Sequence, residues 1–138
     1  TSPDANQRYF SGLAEYETDF TVSAAFLRSG HRATLELGDL WAVGEVTLNG
    51  RNLGVVWQRP FQIDATATLR AGANHLTVKV ANNWVNRLIG DSLAPTAQRV
   101  TKTNVQTTGA NTPIPWRDLP LHPSGLLGPV RLLSEPVQ

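Results

Sequence analysis

The chain has 138 residues, of which 41% are apolar and 17% charged, and its formal net charge is +1. That length fits one domain with one hydrophobic core. The balance argues against a disordered chain and against a field strong enough to recruit nucleic acid or an acidic membrane. Cys is absent and the three His are scattered, so neither a disulfide framework nor a zinc cluster is available.

No apolar run approaches the ~18 residues that would span a bilayer, and no signal peptide is visible. Met is absent even at position 1, which reads as a processed chain or a piece cut from something longer. The expectation is a single domain over 1–138, with an ordered core of about 9–133.

The first pattern is alternation. Ala14, Tyr16, Thr18, Phe20 and Val22 alternate with Glu15, Glu17, Asp19 and Thr21, which predicts a half-buried strand. Arg32 to Leu37 alternates again, with Ala33, Leu35 and Leu37 inward. Val43–Leu48 and Leu53–Trp57 flank Asn49-Gly50, the pair that best supplies the φ > 0 a tight hairpin needs. Phe61 and Ile63 mark a further strand, and Leu76, Val78 and Val80 another. Asn82 to Leu93 allows a short helical turn through Trp84, Leu88 and Ile89. After a long excursion, Leu126 to Leu133 reads as one last strand punctuated by Gly128-Pro129. Short strands with turn signals at this spacing predict an all-β antiparallel β-sandwich or barrel.

Connections in such a sheet alternate between its two ends. If Asn49-Gly50 marks the bottom, then Gly38–Ala42, Gln58–Pro60 and the segment from Asn82 lie at the top. The excursion from Asn82 to Gly125 leaves there and returns there if the last strand runs downward. Trp41, Trp57, Trp84 and Trp116 then fall at or near one end, where loops on a rigid scaffold commonly build sites.

The order of several motifs resembles the galactose-binding-like, sugar-binding β-sandwich domain of family-two glycoside hydrolases. The carriers are Tyr9-Phe10-Ser11-Gly12 with Tyr16, Leu35-Glu36-Leu37-Gly38-Asp39-Leu40, Val46-Thr47-Leu48-Asn49-Gly50 with Leu53-Gly54, and Pro60-Phe61-Gln62-Ile63-Asp64 followed by Leu69, Gly72, Asn74 and Leu76-Thr77-Val78. Asn82 to Asp91 and Pro123 to Val130 are more similar to the accessory domain of large bacterial α-L-rhamnosidases. The resemblance implies a galactose-binding-like jelly roll serving as a non-catalytic, carbohydrate-binding accessory module that takes plant or microbial polysaccharide. It implies carbohydrate and a catalytic domain of the same polypeptide as partners, with an extracellular or periplasmic location. The alternative is a structural β-sandwich that packs against the catalytic domain and binds no sugar.

A sugar is held by an aromatic face against its C–H surface, with polar neighbours on its hydroxyls. Trp57 shares parity with Leu53 and Val55 and is read as capping the core. Trp84 shares parity with Val78 and Val80, and the same reading applies if that strand runs on. Trp41, between two strands and beside Asp39, is a better surface candidate. Trp116 follows Thr112-Pro113-Ile114-Pro115 and precedes Arg117-Asp118, in a loop with little local means of burial. It is the leading stacking candidate, against simple packing under the loop.

Asn86 and Arg87 supply donors and acceptors, and Arg59 sits in a tight loop before Pro60. The bland reading has Arg87 pairing with Asp91 and Asn86 closing loop backbone. The carbohydrate-binding set is therefore Trp116, Arg117, Asn86, Arg87, Trp84, Trp41 and Arg59.

No catalytic residue is expected. Glu15, Glu17 and Asp19 recur every second residue, roughly 6.6–6.8 Å apart, near the ~6.5–9.5 Å of an inverting carboxylate pair. Any polar face of a strand gives that spacing. His31, His75 and His122 sit in unrelated contexts, with no Gly-x-Ser-x-Gly elbow. No cofactor is expected. Asp39, Asp64 and Asp91 are the oxygen ligands open to a structural calcium ion, but no loop carries a dense acidic pattern.

Overall fold

Period-two alternation produces antiparallel strands throughout the middle of the chain. The computed structural model describes residues 2–104, 107–108 and 113–137. Thr112 of the Pro-rich run lies outside them. Two compact units emerge: Leu13–Asn82 with Ser124–Gln138, and Thr1–Gly12 with Asn83–Pro123.

In chain order the strands are β1 (Leu13–Val22), β2 (His31–Glu36), β3 (Asp39–Trp41), β4 (Val43–Leu48), β5 (Arg51–Val56), β6 (Gln62–Asp64), β7 (Gly72–Ala81), β8 (Thr107–Thr108), β9 (Pro113–Ile114), β10 (Gly125–Gly128) and β11 (Arg131–Pro136). The larger unit is a sandwich. One sheet has the order β1-β7-β4-β5, the other β11-β2-β6, and β3 pairs with β10. All these pairings are antiparallel.

Ala33, Leu35, Leu37, Val46, Leu48, Phe61, Leu76, Val78 and Val80 are buried between the sheets, as their alternation predicts, and half-buried Ile63 packs against them. Each large aliphatic side chain so removed from water contributes about 1.5–3 kcal/mol.

The Asn49-Gly50 hairpin forms with φ of 51° and 79°, the signs a type I′ turn requires. The Asn49 side chain does more than tolerate the turn. Its Oδ1 accepts the His75 amide at 2.9 Å, and its Nδ2 donates to Oδ1 of buried Asn74 at 2.8 Å. The hairpin is thereby tied to the start of β7.

Several readings need correction. Leu126 to Leu133 is not one strand: β10 and β11 pair with different partners, β3 and β2, on either side of Gly128-Pro129. The segment read as the Gly38–Ala42 loop contains β3, too short to display alternation. On β1 only Val22 of the expected inward set is buried, and Thr18 and Tyr16 are exposed. The reason is position, because β1 is an edge strand with one neighbour, β7.

Trp57 does not cap the core, being 67% exposed. Register slips between Val46 and Thr47, whose partners are Gly54 and Asn52, so Leu53 is an extra residue in β5. Parity inverts past it. Val56 is buried and Val55 exposed, and Trp57 follows Val55 outward.

The smaller unit is built on α1 (Ala5–Arg8), α2 (Val85–Leu93), the β8–β9 pair and the 3₁₀ turns Thr96–Gln98 and Trp116–Asp118. Nine residues of helix replace the short turn expected after Asn82. Its inward face carries Asn86, Ile89, Gly90 and Asp91. Gly90 lies against Tyr9, where a Cβ would come within 2.5 Å of the ring.

Candidate functional site

Five of the seven predicted site residues belong to the smaller unit. The turn Trp116–Asp118 packs beside α2, so Trp116 and Arg117 do approach the segment that carries Asn86 and Arg87. Their roles differ sharply. Asn86 is buried, and its amide is committed to backbone: Nδ2 donates to the His122 carbonyl at 2.9 Å and Oδ1 accepts the His122 amide at 2.8 Å. It stitches the returning chain to α2 and presents nothing outward. Trp84 stands at the start of α2, 68% exposed, so it does not continue the inward row of β7.

Arg87 pairs with Asp91 one turn later, Nη2 to Oδ1 at 2.6 Å. The contact is close but poorly aligned, and Asp91 Oδ1 and Arg87 Nε have no hydrogen-bond partner by geometry. Opposite charge rather than an aligned bond carries it. The other oxygen is well held: Asp91 Oδ2 accepts the Thr101 amide at 2.6 Å and the Thr101 hydroxyl at 2.5 Å. Burial pushes the Asp91 carboxyl up. The Thr101 hydroxyl and amide, the Val100 backbone and the Arg87 charge outweigh it and hold the carboxyl below its ordinary value of 3.8.

Above this pair opens a cavity of about 440 Å³ lined by Leu88, Asp91, Ser92, Thr96, Arg99, Thr101, Lys102, Thr103, Asn104 and Trp116. Its size lies within the ~300–1,000 Å³ typical of small-molecule sites. Half-buried Trp116 gives it an aromatic wall, with hydroxyls and one amide around it. Arg99, Thr101 and Lys102 escaped the sequence reading because residues 94–104 have no periodicity to place them. The signal available was the clustering of hydroxyl and basic residues after α2.

The remaining candidates, Trp41 and Arg59, belong to the sandwich. Trp41 lies on β3 opposite Gly125 and is 40% exposed, while its neighbour Leu40 is buried. Arg59 is exposed, pairs with Asp39 and stands 5.5 Å from the centre of the Phe61 ring. Arg59 lines a hollow of about 470 Å³ together with Asp39, Phe61, Glu36 and Arg131, and Trp41 is not part of its lining. Here every charge is spent, Arg59 on Asp39 and Arg131 on Glu36. The ends of the excursion do meet on this unit, where Asn82 Nδ2 donates to Ser124 Oγ at 2.7 Å.

The acidic row of β1 faces basic partners across the ladder. Glu15 reaches Lys79 at 3.3 Å, and Asp19 reaches His75 at 2.8 Å. Asp64 accepts the Thr66 amide at 2.8 Å and lies 3.5 Å from Arg32. Among the described residues, no group of three or more His, Cys, Asp or Glu converges to hold a metal.

These features define an antiparallel β-sandwich unit, and a second, smaller unit that carries a concave, aromatic-walled surface. The chain belongs to the family described as glycosyl hydrolase 2 galactose-binding domain-like, which matches residues 5–113. The rhamnosidase from Novosphingobium sp. PP1Y is similar over 97% of the chain, with 40% identity and a TM-score of 0.81. The β-glucuronidase of Bifidobacterium dentium is similar over 55%, with 35% identity and a TM-score of 0.51. A protein of Formosa agariphila is 46% identical over 88 residues, which are 64% of this chain. The chain spans 12% of either structure and 8% of the Formosa protein, so it corresponds to an accessory domain of much larger relatives.

Proposed function

We propose that this chain is a non-catalytic carbohydrate-binding module of a larger glycoside hydrolase, taking sugar in the Trp116 cavity. The observation that carries this reading is the combination of an aromatic wall with a rim of hydroxyl and amide groups in one concavity of ligand size. Trp116 offers a stacking face, Asn104 an amide, and Ser92, whose hydroxyl already donates to the Ile89 carbonyl at 2.7 Å, an acceptor oxygen. Asn86 drops out of the binding set, because its amide is consumed internally. A Kd near 1 mM, about −4 kcal/mol, is within reach of one platform and a few net hydrogen bonds.

Titration of a glycan panel tests this. Trp116→Ala is expected to weaken binding at least several-fold, and Trp116→Phe, which keeps an aromatic face and most of the packing, to weaken it less. Normal binding by the alanine variant, or no binding by the unaltered chain, would refute the reading.

No hydrolysis of aryl glycosides is expected from the chain itself. Its candidate carboxylates are exposed on β1 and face Lys79 and His75 across the ladder, with no enclosed pocket among the described residues around them to hold a substrate. Turnover abolished by a single Glu15 or Glu17 substitution would restore an enzymatic reading.

A separate observation favours a second use, as a surface that packs on a catalytic domain. Leu13, Ala81 and Val43 share one cross-strand row at the end of the β1-β7-β4-β5 sheet, and Trp57 continues it beyond the Val56–Gly44 pair. Leu13, Val43 and Trp57 are all exposed. Trp57→Lys is expected to leave the melting of this chain within about 0.5 kcal/mol of the parent sequence. In a polypeptide that joins it to a catalytic domain, the same change should lower the melting temperature. An unchanged melt there would remove this second use.

A further inference from the structure

We infer that the Trp116 cavity selects an acidic sugar, a uronate residue whose carboxylate is met by Arg99 and Lys102. The inference rests on the carbohydrate-binding reading and adds the charge class of the ligand.

The argument is one of unspent charge. The cavity holds one acid, Asp91, and that acid is already satisfied by Arg87 and Thr101. Two cations, Arg99 and Lys102, line the same cavity, and neither makes an ion pair among the described residues. Elsewhere Arg32, Arg59, Lys79 and Arg131 each pair with a carboxylate, and of the other cations without an ion pair among the described residues, Arg28 and Arg51 line separate hollows. What sets this cavity apart is that two such cations share one concavity, in a chain whose net charge is only +1.

The two groups also differ in how they are held. Arg99 Nε donates to the Ala94 carbonyl at 3.2 Å, which orients the guanidinium and leaves its terminal nitrogens to present a fork. Lys102 is exposed and adds a mobile point charge. A planar carboxylate on a pyranose ring stacked against Trp116 suits both. A neutral sugar would use the aromatic wall and the hydroxyls but leave the two cations without a partner. The hollow near Arg59 and Arg131 has the same number of cations, but their carboxylate partners remove the preference.

The test uses the 138-residue chain and calorimetric titration with short galacturonate and glucuronate oligosaccharides, each beside its carboxyl-reduced neutral form. At low ionic strength at least one acidic oligosaccharide should bind at least tenfold more tightly than its neutral counterpart. The advantage should shrink as salt screens these exposed cations. The double variant Arg99→Gln, Lys102→Gln should lose the acidic preference while keeping the neutral affinity. Equal affinity for acidic and neutral forms, unmoved by the double variant, would overturn the inference and leave the sugar-binding reading standing. Binding of polyglutamate as tight as that of the best uronate would overturn it too, since any polyanion would then serve. No binding by any oligosaccharide would remove the underlying reading and this inference with it.

Discussion

Replacing Asp91 by alanine is expected to lower the melting temperature by on the order of 10 °C, an effect of about 3 kcal/mol. The Asp91 side chain is 5% exposed and sits between Arg87 and Thr101. Removing it strands the Arg87 charge and the Thr101 amide and hydroxyl at once. The cost falls at the lower end of that for a broken buried ion pair, because Arg87 keeps 24% of its side-chain surface in water. Asp91→Asn keeps the shape and an acceptor for Thr101 and should cost about 1–2 kcal/mol.

The sign with pH follows from the depressed carboxyl. A group held below its ordinary 3.8 in the folded chain contributes stability above that value and loses it as pH falls through the folded value. Acid melts of the unaltered chain should therefore steepen below about pH 4, and Asp91→Asn should lack this component. Fluorescence of a chain in which Trp41 and Trp57 are replaced by Phe leaves Trp84 and Trp116 to report the unit concerned. An Asp91→Ala variant that melts with the unaltered chain would show that the pair is not structural.

The sandwich was legible wherever alternation runs long enough to be counted. The rows through Leu35, Val46 and Val78 placed the core, and Asn49-Gly50 placed the hairpin, because period two and φ > 0 are local properties. What escaped is set by contacts between distant residues. The extra residue Leu53 inverts parity only because β4 holds β5 in register on both sides of it, and so Trp57 was read on the wrong face. The three residues of β3 become a strand only when β10 arrives from far along the sequence. The candidate cavity was legible in part. Trp116 was singled out by its Pro-rich surroundings, and the Arg87–Asp91 pair by i,i+4 spacing. That Asn86 would be spent on His122 depends on the path of the returning chain, which no local pattern encodes.

Gly38→Ala should be among the most damaging small substitutions in the sandwich, at about 3–4 kcal/mol. Two costs combine. Gly38 has φ of +66°, a conformation that costs an L-residue roughly 1–2 kcal/mol. Its added Cβ would also lie 2.4 Å from the Gly128 carbonyl carbon and 2.7 Å from the Pro129 oxygen, both backbone atoms. Backbone cannot swing aside as a side chain can, so relief requires the Gly38–Gly128 bridge to open, with a further penalty of about 1–3 kcal/mol for overpacking. That bridge stands where β2 gives way to β3 and where β10 gives way to β11. Loosening it should therefore disturb both the β10–β3 pair and the β11-β2-β6 sheet. Gly50→Ala is the control, with φ of +79° and no atom within 4 Å of the new Cβ, so it carries the conformational cost alone. Chemical denaturation of the two variants separates the terms. If Gly38→Ala is no less stable than Gly50→Ala, the close backbone approach at this corner is wrong.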